Sequence, residues 1–405
     1  MSAKKATQAW LPRLLPDLGV GLVLDLASRL RWGRLEVHLP DGVRRFFTGA
    51  GPGPEAVLLL RDGKAAKRVA TGGGVGFAEG YMAREWDSPD LASLLELVDR
   101  NCEAMGFDSR LAGLRRLVER TVHAFRLNSR SGSRKNIQAH YDLGNRFYEA
   151  WLDPTLTYSS ALFGPDTPDL QSAQLAKYRR LAERIALAPG QRLLEIGTGW
   201  GGFALTAAKE FGARVTGITV SKEQQAYASQ RVFREGLADR VEIRFQDYRD
   251  VAGRFDRIAS IEMLEAVGER FWPLFFGTLR DRLVPGGQAG VQTITIADRL
   301  FDEYRHNVDF IQKYIFPGGM LPSPAVLRHE TAQAGLQLES THFFGHSYAR
   351  TLAEWHRRFD EAWPRLEGEG FDERFRRMWK YYLAYCEAGF RSGSIDVTQV
   401  TLRPA

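Results

Sequence analysis

Short apolar runs alternate with longer amphipathic segments along the middle of the chain. The short runs are typical of strands buried on both faces, and the longer segments carry apolar residues at helical spacing. This alternation predicts an α/β fold with a doubly wound parallel sheet. The predicted strands are 192–196, 214–220, 241–246, 257–263 and 288–296, and the predicted helices are about 171–187, 202–210, 222–235 and 270–283.

The first 115 residues have a different pattern, which predicts a small α+β domain. Helical apolar spacing covers 14–30. Alternation on either side of Asp41-Gly42 predicts a β-hairpin over 34–47, and 55–60 is typical of a further strand. Two or three short helices are expected to follow.

The last of these helices is predicted to start with Ser88 as its cap and Pro89 in its first turn. The glycines at 72–74 are expected to form a connector. Residues 116–135 begin as a helix and become rich in serine, glycine and basic side chains. They therefore predict a linker to a second domain over 136–405.

The composition bears on the cellular compartment and on the partners of the protein. The only two cysteines, Cys102 and Cys386, lie far apart, so a reducing cytoplasm is expected and a disulfide framework is not. The apolar run 18–27 is interrupted by Asp25 and is too short to span a bilayer. The net charge of +6 suits an anionic membrane face or nucleic acid, and it equally suits a generally basic proteome.

The segment LLEIGTGWGGFA at 193–204 is the most informative stretch of the chain. It predicts a buried strand that ends in a glycine-rich turn and leads into a helix. Its glycines fit G-x-G-x-x-G, but Glu195 would repel a pyrophosphate, and Thr219-Val220-Ser221 ends the next strand without the acid that holds the ribose of NAD. A positively charged, phosphate-free cofactor fits better, and S-adenosylmethionine is the leading candidate. An ordinary glycine turn is the alternative.

Seven segments together make the chain resemble the cyclopropane-fatty-acid synthase family of S-adenosylmethionine-dependent methyltransferases. The resemblance covers about residues 136–395, and the N-terminal part more weakly. The segments are HYDLGNRFYEAWLDPTLTYSSALF (140–163), LLEIGTGWGGFA (193–204), VTGITVSKEQQAYA (215–228), QDYRD (246–250), FDRIASIEMLEAVG (255–268), KYIFPGGMLPS (313–323) and YARTLAEWHRRF (348–359).

The resemblance implies a Rossmann-like class I methyltransferase domain that moves a methyl group to the double bond of an acyl chain in a phospholipid. Loss of a proton from the resulting carbocation gives a cyclopropane ring, a methylene branch or a methyl-branched alkene. An aromatic wall would stabilise the cation. By position in the motifs, the residues implied at the cofactor are Gly197, Gly199, Thr219 and Gln224, with Tyr158 and Ser159 as a lid, Asp247 and Tyr248 at the adenine, and Glu195 ordering the loop or near the amino group.

The chain departs from the family pattern where members are thought to hold a bicarbonate ion as the base. Ser160 stands where a cysteine is common, Gln292 where a histidine is common, and Ala266 also replaces a histidine. Glu262 replaces a glycine. The resemblance retains Glu265, and Tyr348 as the tyrosine of the bicarbonate site.

Two interpretations of these departures stay open. Bicarbonate is still possible, because Ser160 and Gln292 can donate hydrogen bonds to an anion. A second carboxylate would repel that anion, so the hypothesis is that Glu262 or Glu265 replaces or repositions the base. Alternatively, Glu262 faces solvent or pairs with Arg257.

Other residues have weaker assignments. His140 suits a lid or site-lining role, a helix cap or, less well, a base. An aromatic stripe over 355–385 is expected to pack in the core. The alternative interpretation is that it lines an acyl pocket. No clustered histidines or cysteines suggest a metal.

The competing functions are a lipid methyltransferase, with ring and branched products nearly tied, and a catalytically weak homologue that binds lipid or cofactor. A nucleic-acid or small-molecule methyltransferase lacks a supporting motif. The expected partner is an unsaturated phospholipid reached by peripheral contact at the inner membrane face. A homodimer is expected by analogy, and the N-terminal domain is a candidate for lipid docking or subunit pairing.

Overall fold

The computed structural model describes residues 18–105 and 143–405. By internal contacts the chain divides into two compact units, Met1–Ala112 and Gly113–Ala405. The predicted linker 116–135 and His140 lie outside the described residues. Within the described ranges, no helix combines the length and the apolar character that crossing a bilayer would require.

The N-terminal unit contains a four-stranded sheet in the order β2-β1-β3-β4. The predicted hairpin is confirmed as the antiparallel pair β1–β2, and β3 runs parallel to β1 on its other side. The inward-facing positions of β1 and β3 alternate with exposed ones. Its elements are α1 (Leu18–Ser28), β1 (Trp32–His38), β2 (Arg44–Thr48), β3 (Gly51–Leu60), α2 (Lys64–Met82), β4 (Trp86–Asp87) and α3 (Leu91–Met105).

One of two local predictions in this unit is wrong and the other is confirmed. The cap of α3 is Asp90 rather than Ser88: the Asp90 carboxylate accepts hydrogen bonds from the amide of Ser93 (3.0 Å) and from its hydroxyl (2.7 Å). The glycines at 72–74 do connect two helical stretches, as expected, and the connection lies within the range of α2. Gly73 adopts φ 54° and ψ −136°, which kinks α2 at a position that only glycine occupies without strain.

The second unit is built on a seven-stranded sheet in the order β10-β11-β9-β8-β5-β6-β7. Strands β5 to β9 are mutually parallel, which confirms the predicted doubly wound sheet. The strands are β5 (Arg192–Ile196), β6 (Arg214–Thr219), β7 (Val241–Phe245), β8 (Phe255–Ile261), β9 (Leu283–Ile296), β10 (Leu336–Phe343) and β11 (Ile395–Pro404).

Two strands extend the sheet beyond the prediction. β11 pairs antiparallel with β9, and β10 pairs antiparallel with β11. The helices of this unit are α4 (Asn145–Glu149), α5 (Leu170–Arg184), α6 (Gly202–Glu210), α7 (Lys222–Arg234), α8 (Trp272–Arg282), α9 (Asp298–Tyr304), α10 (Pro324–Gln333), α11 (Gly345–Gly368) and α12 (Glu373–Ser392).

The aromatic stripe packs in the core, as predicted. It lies on the paired helices α11 and α12, where Trp355 and Trp379 are about 1% exposed. Both tryptophans contact the ring of Trp151, at centroid distances of 5.7 and 6.0 Å. Trp355 also lies 5.3 Å from the ring of Tyr158. The stripe therefore joins the helical pair to the segment that carries the predicted lid.

Candidate active site

The glycine turn after β5 has the backbone that its sequence predicts. Gly197 and Gly201 both adopt φ 87°, and Gly199 adopts φ 54°. A β-carbon on Gly197 would meet the side chain of Met263 at 2.9 Å, whereas one on Gly199 would enter open space. On the side of β8, the side chain of Met263 thus closes the turn. Above Gly199 the turn is open, and a ligand can approach the backbone there.

Glu195 orders this turn. It is buried, and its Oε2 accepts a hydrogen bond of 2.6 Å from the hydroxyl of Thr198. Burial raises the pKa of the Glu195 carboxyl to about 8, and the hydrogen bond from Thr198 and the charge of Lys177 oppose that rise. Of the two roles expected for Glu195, ordering the loop is the one these contacts support.

The next strand end presents a small polar group formed by Thr219 and Gln224. The Thr219 hydroxyl donates to Oε1 of Gln224 at 2.9 Å. Ser221 caps α7 by accepting from the amide of Gln224. These contacts leave no acidic side chain where a ribose-binding acid would stand in a NAD site.

Asp247 and Tyr248 follow β7, at the place expected for the adenine. The Asp247 carboxylate accepts from Nε and Nη2 of Arg249, at 2.8 and 2.7 Å. The guanidinium also lies 5.5 Å from the ring centroid of Tyr248. Asp247 is therefore already engaged by a buried arginine, and the Tyr248 ring is held between that arginine and Phe275.

The predicted lid residues lie under the aromatic stripe. The hydroxyls of Tyr158 and Tyr382 are 2.7 Å apart. Ser159 is held from behind by α5: its carbonyl accepts from Nε2 of Gln174 at 2.8 Å, and its hydroxyl accepts from Nζ of Lys177 at 2.7 Å. The lid segment is thereby fixed on both sides.

Glu262 is the centre of a second cluster, just after β8. Its Oε1 accepts from the amide of Ser160 and from Nε2 of Gln292, both at 2.8 Å. Its Oε2 accepts from the hydroxyl of Tyr348 at 2.6 Å. The alternative that Glu262 faces solvent or pairs with Arg257 is wrong. Both of its carboxylate oxygens accept from these buried donors, and Arg257 instead donates to the carbonyls of Ala186 and Asp256.

The backbone explains why a glycine is common at this position. Glu262 adopts φ 50°, a left-handed conformation that costs a non-glycine residue about 1–3 kcal/mol. Three short hydrogen bonds to its carboxylate hold it there. Burial raises the pKa of Glu262, and the Lys177 charge and these hydrogen bonds lower it.

Glu265 forms a separate acidic position nearby. Its Oε1 accepts from the amide of Ile294 at 2.6 Å and from the hydroxyl of Thr293 at 3.0 Å. Its Oε2 is buried and has no hydrogen-bond partner among the described residues. Burial, reinforced by the Glu262 carboxylate, raises the pKa of Glu265 to about 8.

The side chains of Ser160 and Gln292, which were predicted to donate to an anion, have other hydrogen-bond partners within the protein. The Ser160 hydroxyl donates to the carbonyl of Ala161, and only the Ser160 amide reaches Glu262. Gln292 does donate to a carboxylate, and that carboxylate belongs to Glu262. The expectation that the Ser160 side chain can donate to an anion stays a prediction.

The sequence reasoning missed two buried residues behind Glu262. Gln399 on β11 donates from Nε2 to Oε1 of Gln292 at 3.0 Å, which orients the Gln292 amide. Lys177 has no exposed surface. Helical spacing in the sequence could have revealed this burial, because Lys177 shares a helical face with Gln174, Tyr178 and Leu181, all of which are buried.

The site therefore consists of a glycine cradle with an aromatic lid and a carboxylate held by three donors. A family model described as mycolic acid cyclopropane synthetase matches residues 128–400. The chain is 41% identical to "Tuberculostearic acid methyltransferase UfaA1" of Mycobacterium tuberculosis over 392 residues, which cover 93% of this chain and 90% of that protein.

Two further comparisons agree. Cyclopropane-fatty-acyl-phospholipid synthase of Escherichia coli is 36% identical over 372 residues, covering 91% of this chain and 92% of that protein. The crystal structure of mycolic acid cyclopropane synthase CmaA1 complexed with SAH and CTAB has a TM-score of 0.63 at 31% identity, covering 66% of this chain and 97% of that chain. The chain belongs to the cyclopropane-fatty-acid synthase family and is an S-adenosylmethionine-dependent methyltransferase.

Proposed function

We propose that this enzyme methylates the double bond of an unsaturated acyl chain in a phospholipid, and that the carboxylate of Glu262 is its proton acceptor. Family membership supports the substrate class. The observation that carries the role of Glu262 is its set of three donors, the Ser160 amide, Gln292 Nε2 and Tyr348 hydroxyl.

The cradle suits S-adenosylmethionine. Gly197 and Gly199 shape the turn, which is open above Gly199, and Thr219 and Gln224 offer neutral polar groups. A cofactor with a positive centre would favour the charged form of the buried Glu195. When bound, S-adenosylmethionine supplies an electrophilic methyl group. Tyr158, Ser159, Asp247 and Tyr248 are proposed to cover it, in the roles that the motifs imply.

The aromatic wall supports a cationic reaction. Tyr158 lies within ring-contact distance of Tyr148, Trp151 and Trp355, at 5.3 to 5.7 Å between centroids. Rings of this kind attract a cation electrostatically. The alkene's π electrons would form the new carbon–carbon bond as the sulfur–methyl bond breaks and its electron pair returns to sulfur. The adjacent chain carbon would become the cation that these rings stabilise. The wall also excludes water, which would otherwise trap that cation.

Glu262 then completes the reaction by accepting a proton from the cationic chain. We propose that its carboxylate takes the place of bicarbonate, because donors that would bind a small anion are already satisfied by Glu262. A bicarbonate beside the Glu262 carboxylate would add a second negative charge to one buried region, at a large electrostatic cost. Glu265 instead keeps a raised pKa of about 8.

The position of this acceptor bears on the product. Proton loss from the new methyl group closes a ring directly, or leaves a methylene branch if a hydride shifts first, and loss from a chain carbon leaves a methyl-branched alkene. A carboxylate tethered at Glu262 cannot move as a free ion does. We propose that it favours a branched product over a ring. The relatives are named as both methyltransferases and cyclopropane synthases, so the product is a separate proposal.

The setting that we propose is the inner membrane face, with peripheral contact and a homodimeric enzyme. The net charge of +6 supports contact with an anionic surface. Nucleic acid is not a proposed partner.

Lipid mass spectrometry tests the function. The purified protein is incubated with vesicles of a monounsaturated phospholipid and S-adenosylmethionine. The proposal predicts a gain of one CH2 unit per acyl chain, and chemical derivatisation distinguishes a ring from a branch. Glu262→Gln is expected to lose about 10²–10⁴-fold in rate, as for a lost general base. Glu339→Gln, at a partly exposed glutamate on β10, is the matched control. A wild-type protein that leaves the lipid unchanged would refute the proposal.

A further inference from the structure

Lys177 is a buried cation that the reaction described above does not use. Its side chain has no exposed surface, and its Nζ lies 4.2 Å from the ring centroid of Tyr178. Nζ donates to the hydroxyl of Ser159 at 2.7 Å. A lysine removed from water in this way needs compensating partners, because burial of an isolated ammonium group is very costly.

Hydrogen bonds connect Lys177 to Glu262 by two routes. Along the lid, Lys177 holds Ser159, and the amide of the next residue, Ser160, donates to Glu262. Along the sheet, Nε2 of Gln399 is shared between the carbonyl of Lys177 (3.2 Å) and Oε1 of Gln292 (3.0 Å), and Gln292 donates to Glu262. The two routes meet at Oε1 of Glu262 and so close a ring that includes this oxygen.

Charge links the same two residues. The Lys177 ammonium interacts favourably with the carboxylates of Glu262, Asp153 and Glu195. For Glu262, the charge of Lys177 is the largest influence that opposes burial. A buried carboxylate without a cation nearby tends to take up a proton, and a protonated Glu262 could not accept one from a substrate.

We propose that Lys177 is a positioning residue for the methyl-transfer site: it anchors the Ser159–Ser160 segment and keeps the Glu262 carboxylate ionised. The proposal rests on the function proposed above for Glu262. Lys177 touches neither the substrate nor the reacting atoms in this account. It acts through the segment and the charge that it provides.

The pH behaviour follows from the groups around Lys177. Burial lowers the pKa of Lys177 to about 7. The charges of the Glu262, Asp153 and Glu195 carboxylates act in the opposite direction and raise it. Tyr178, Tyr348 and Glu265 also have raised pKa values, and burial raises the pKa of Glu195 to about 8. Activity should therefore rise as Glu262 loses its proton, and fall again as Lys177 loses its proton above about pH 7.

Three variants separate the two contributions of Lys177. Lys177→Gln keeps a donor for Ser159 without the charge, Lys177→Arg keeps the charge, and Gln174→Leu removes the neighbouring contact to Ser159 while leaving Lys177 in place. Lys209→Met, at a half-exposed lysine on α6, is the surface control. The pH profile of kcat/KM is measured for each on monounsaturated phospholipid vesicles.

Lys177→Gln is expected to move the acid limb to higher pH by about one unit or more. Lys177→Arg is expected to keep the acid limb and lose the alkaline one, because a guanidinium does not titrate in this range. Gln174→Leu and Lys209→Met should leave both limbs in place. An acid limb unchanged in Lys177→Gln would overturn the proposal.

A substrate-free readout keeps the test independent of the proposed function. The infrared band of protonated carboxyl groups is titrated in the wild type and in Glu262→Gln, which identifies the Glu262 signal. That signal should titrate at higher pH in Lys177→Gln.

If Lys177→Gln does not fold, NMR of Lys177 Nζ in Glu262→Gln gives the reciprocal measurement. A Lys177 pKa that does not fall in Glu262→Gln would equally overturn the proposal. A wild type that methylates no lipid would refute only the proposed function.

Discussion

Glu262 combines a strained backbone with a fully used carboxylate. Its φ of 50° belongs to the region that favours glycine, and a glutamate stays there because three donors converge on its two oxygens. Strain that is retained beside a reactive group often marks a functional position. Sequence reasoning identified the replacement of glycine by Glu262 and a possible role as base. It could not predict the contacts, since the donors come from three segments distant in the chain.

Tyr348 is expected to tune the acidity of Glu262. Its hydroxyl donates to the charged form at 2.6 Å and so lowers the pKa of the carboxyl. In Tyr348→Phe the Glu262 pKa should rise, the acid limb of the kcat/KM profile should move to higher pH, and kcat/KM should fall by about 10–100-fold near neutrality. Tyr227→Phe, on α7 outside the site, is the control. An unchanged acid limb would show that the hydroxyl does not stabilise the charged carboxylate.

At the scale of elements, the central sheet was predictable and its antiparallel edge was not. Strands β5 and β6 and helix α6 gave strong signals, because short buried runs alternate with amphipathic segments. β11 carries no such signal: six successive positions, Val397 to Leu402, are buried, and its pairing with β9 depends on a return of the chain after α12. That pairing places Gln399 opposite Gln292 and determines how the Gln292 amide points.

The β9–β11 pairing gives a direct prediction. Gln399→Leu should release the carbonyl of Gln292 and allow its amide to turn away from Glu262, with a loss of about 5-fold in kcat/KM for one hydrogen bond. Gln337→Leu, on the neighbouring strand β10 and bonded to Arg403, is the matched control. Equal activity of the two variants would contradict an orienting role for Gln399.

The helical pair α11–α12 is expected to carry much of the stability of the second unit. Trp379 is buried, stacks on Phe375 and meets Phe147 edge to face at 4.9 Å. Trp379→Ala should lower the free energy of unfolding by about 3–5 kcal/mol in a denaturant titration. Trp32→Ala, at a half-exposed tryptophan of the other unit, should change it much less. Comparable losses in both variants would contradict this account of the packing.

At the scale of the whole molecule, the chain joins a methyltransferase unit to a smaller α+β unit, and its net charge is +6. Length and pattern predict a domain over 1–115, a linker over 116–135 and a second domain over 136–405, and the linker falls outside the described ranges. Function was predictable because family motifs and strand ends coincide. The buried Lys177 was overlooked because a lysine on an amphipathic helix is expected to face solvent.

The proposed membrane contact can be tested through its dependence on charge. The protein is expected to sediment with vesicles that contain anionic lipid and to be released as salt is raised, because surface attraction is screened within about 10 Å at 0.1 M salt. Zwitterionic vesicles are the control. Binding that is independent of lipid charge and of salt would contradict an electrostatic contact.

The central claim is that Glu262 replaces bicarbonate as the proton acceptor. The most direct measurement is the bicarbonate dependence of methyl transfer. Wild type and Glu262→Gly are assayed with monounsaturated vesicles in carbonate-free buffer, with and without added bicarbonate. We predict that the wild type is unaffected. Glu262→Gly, which restores the glycine common at this position and frees the three donors, should be inactive until bicarbonate is added. A wild type that requires bicarbonate, or a glycine variant that is fully active without it, would contradict the account.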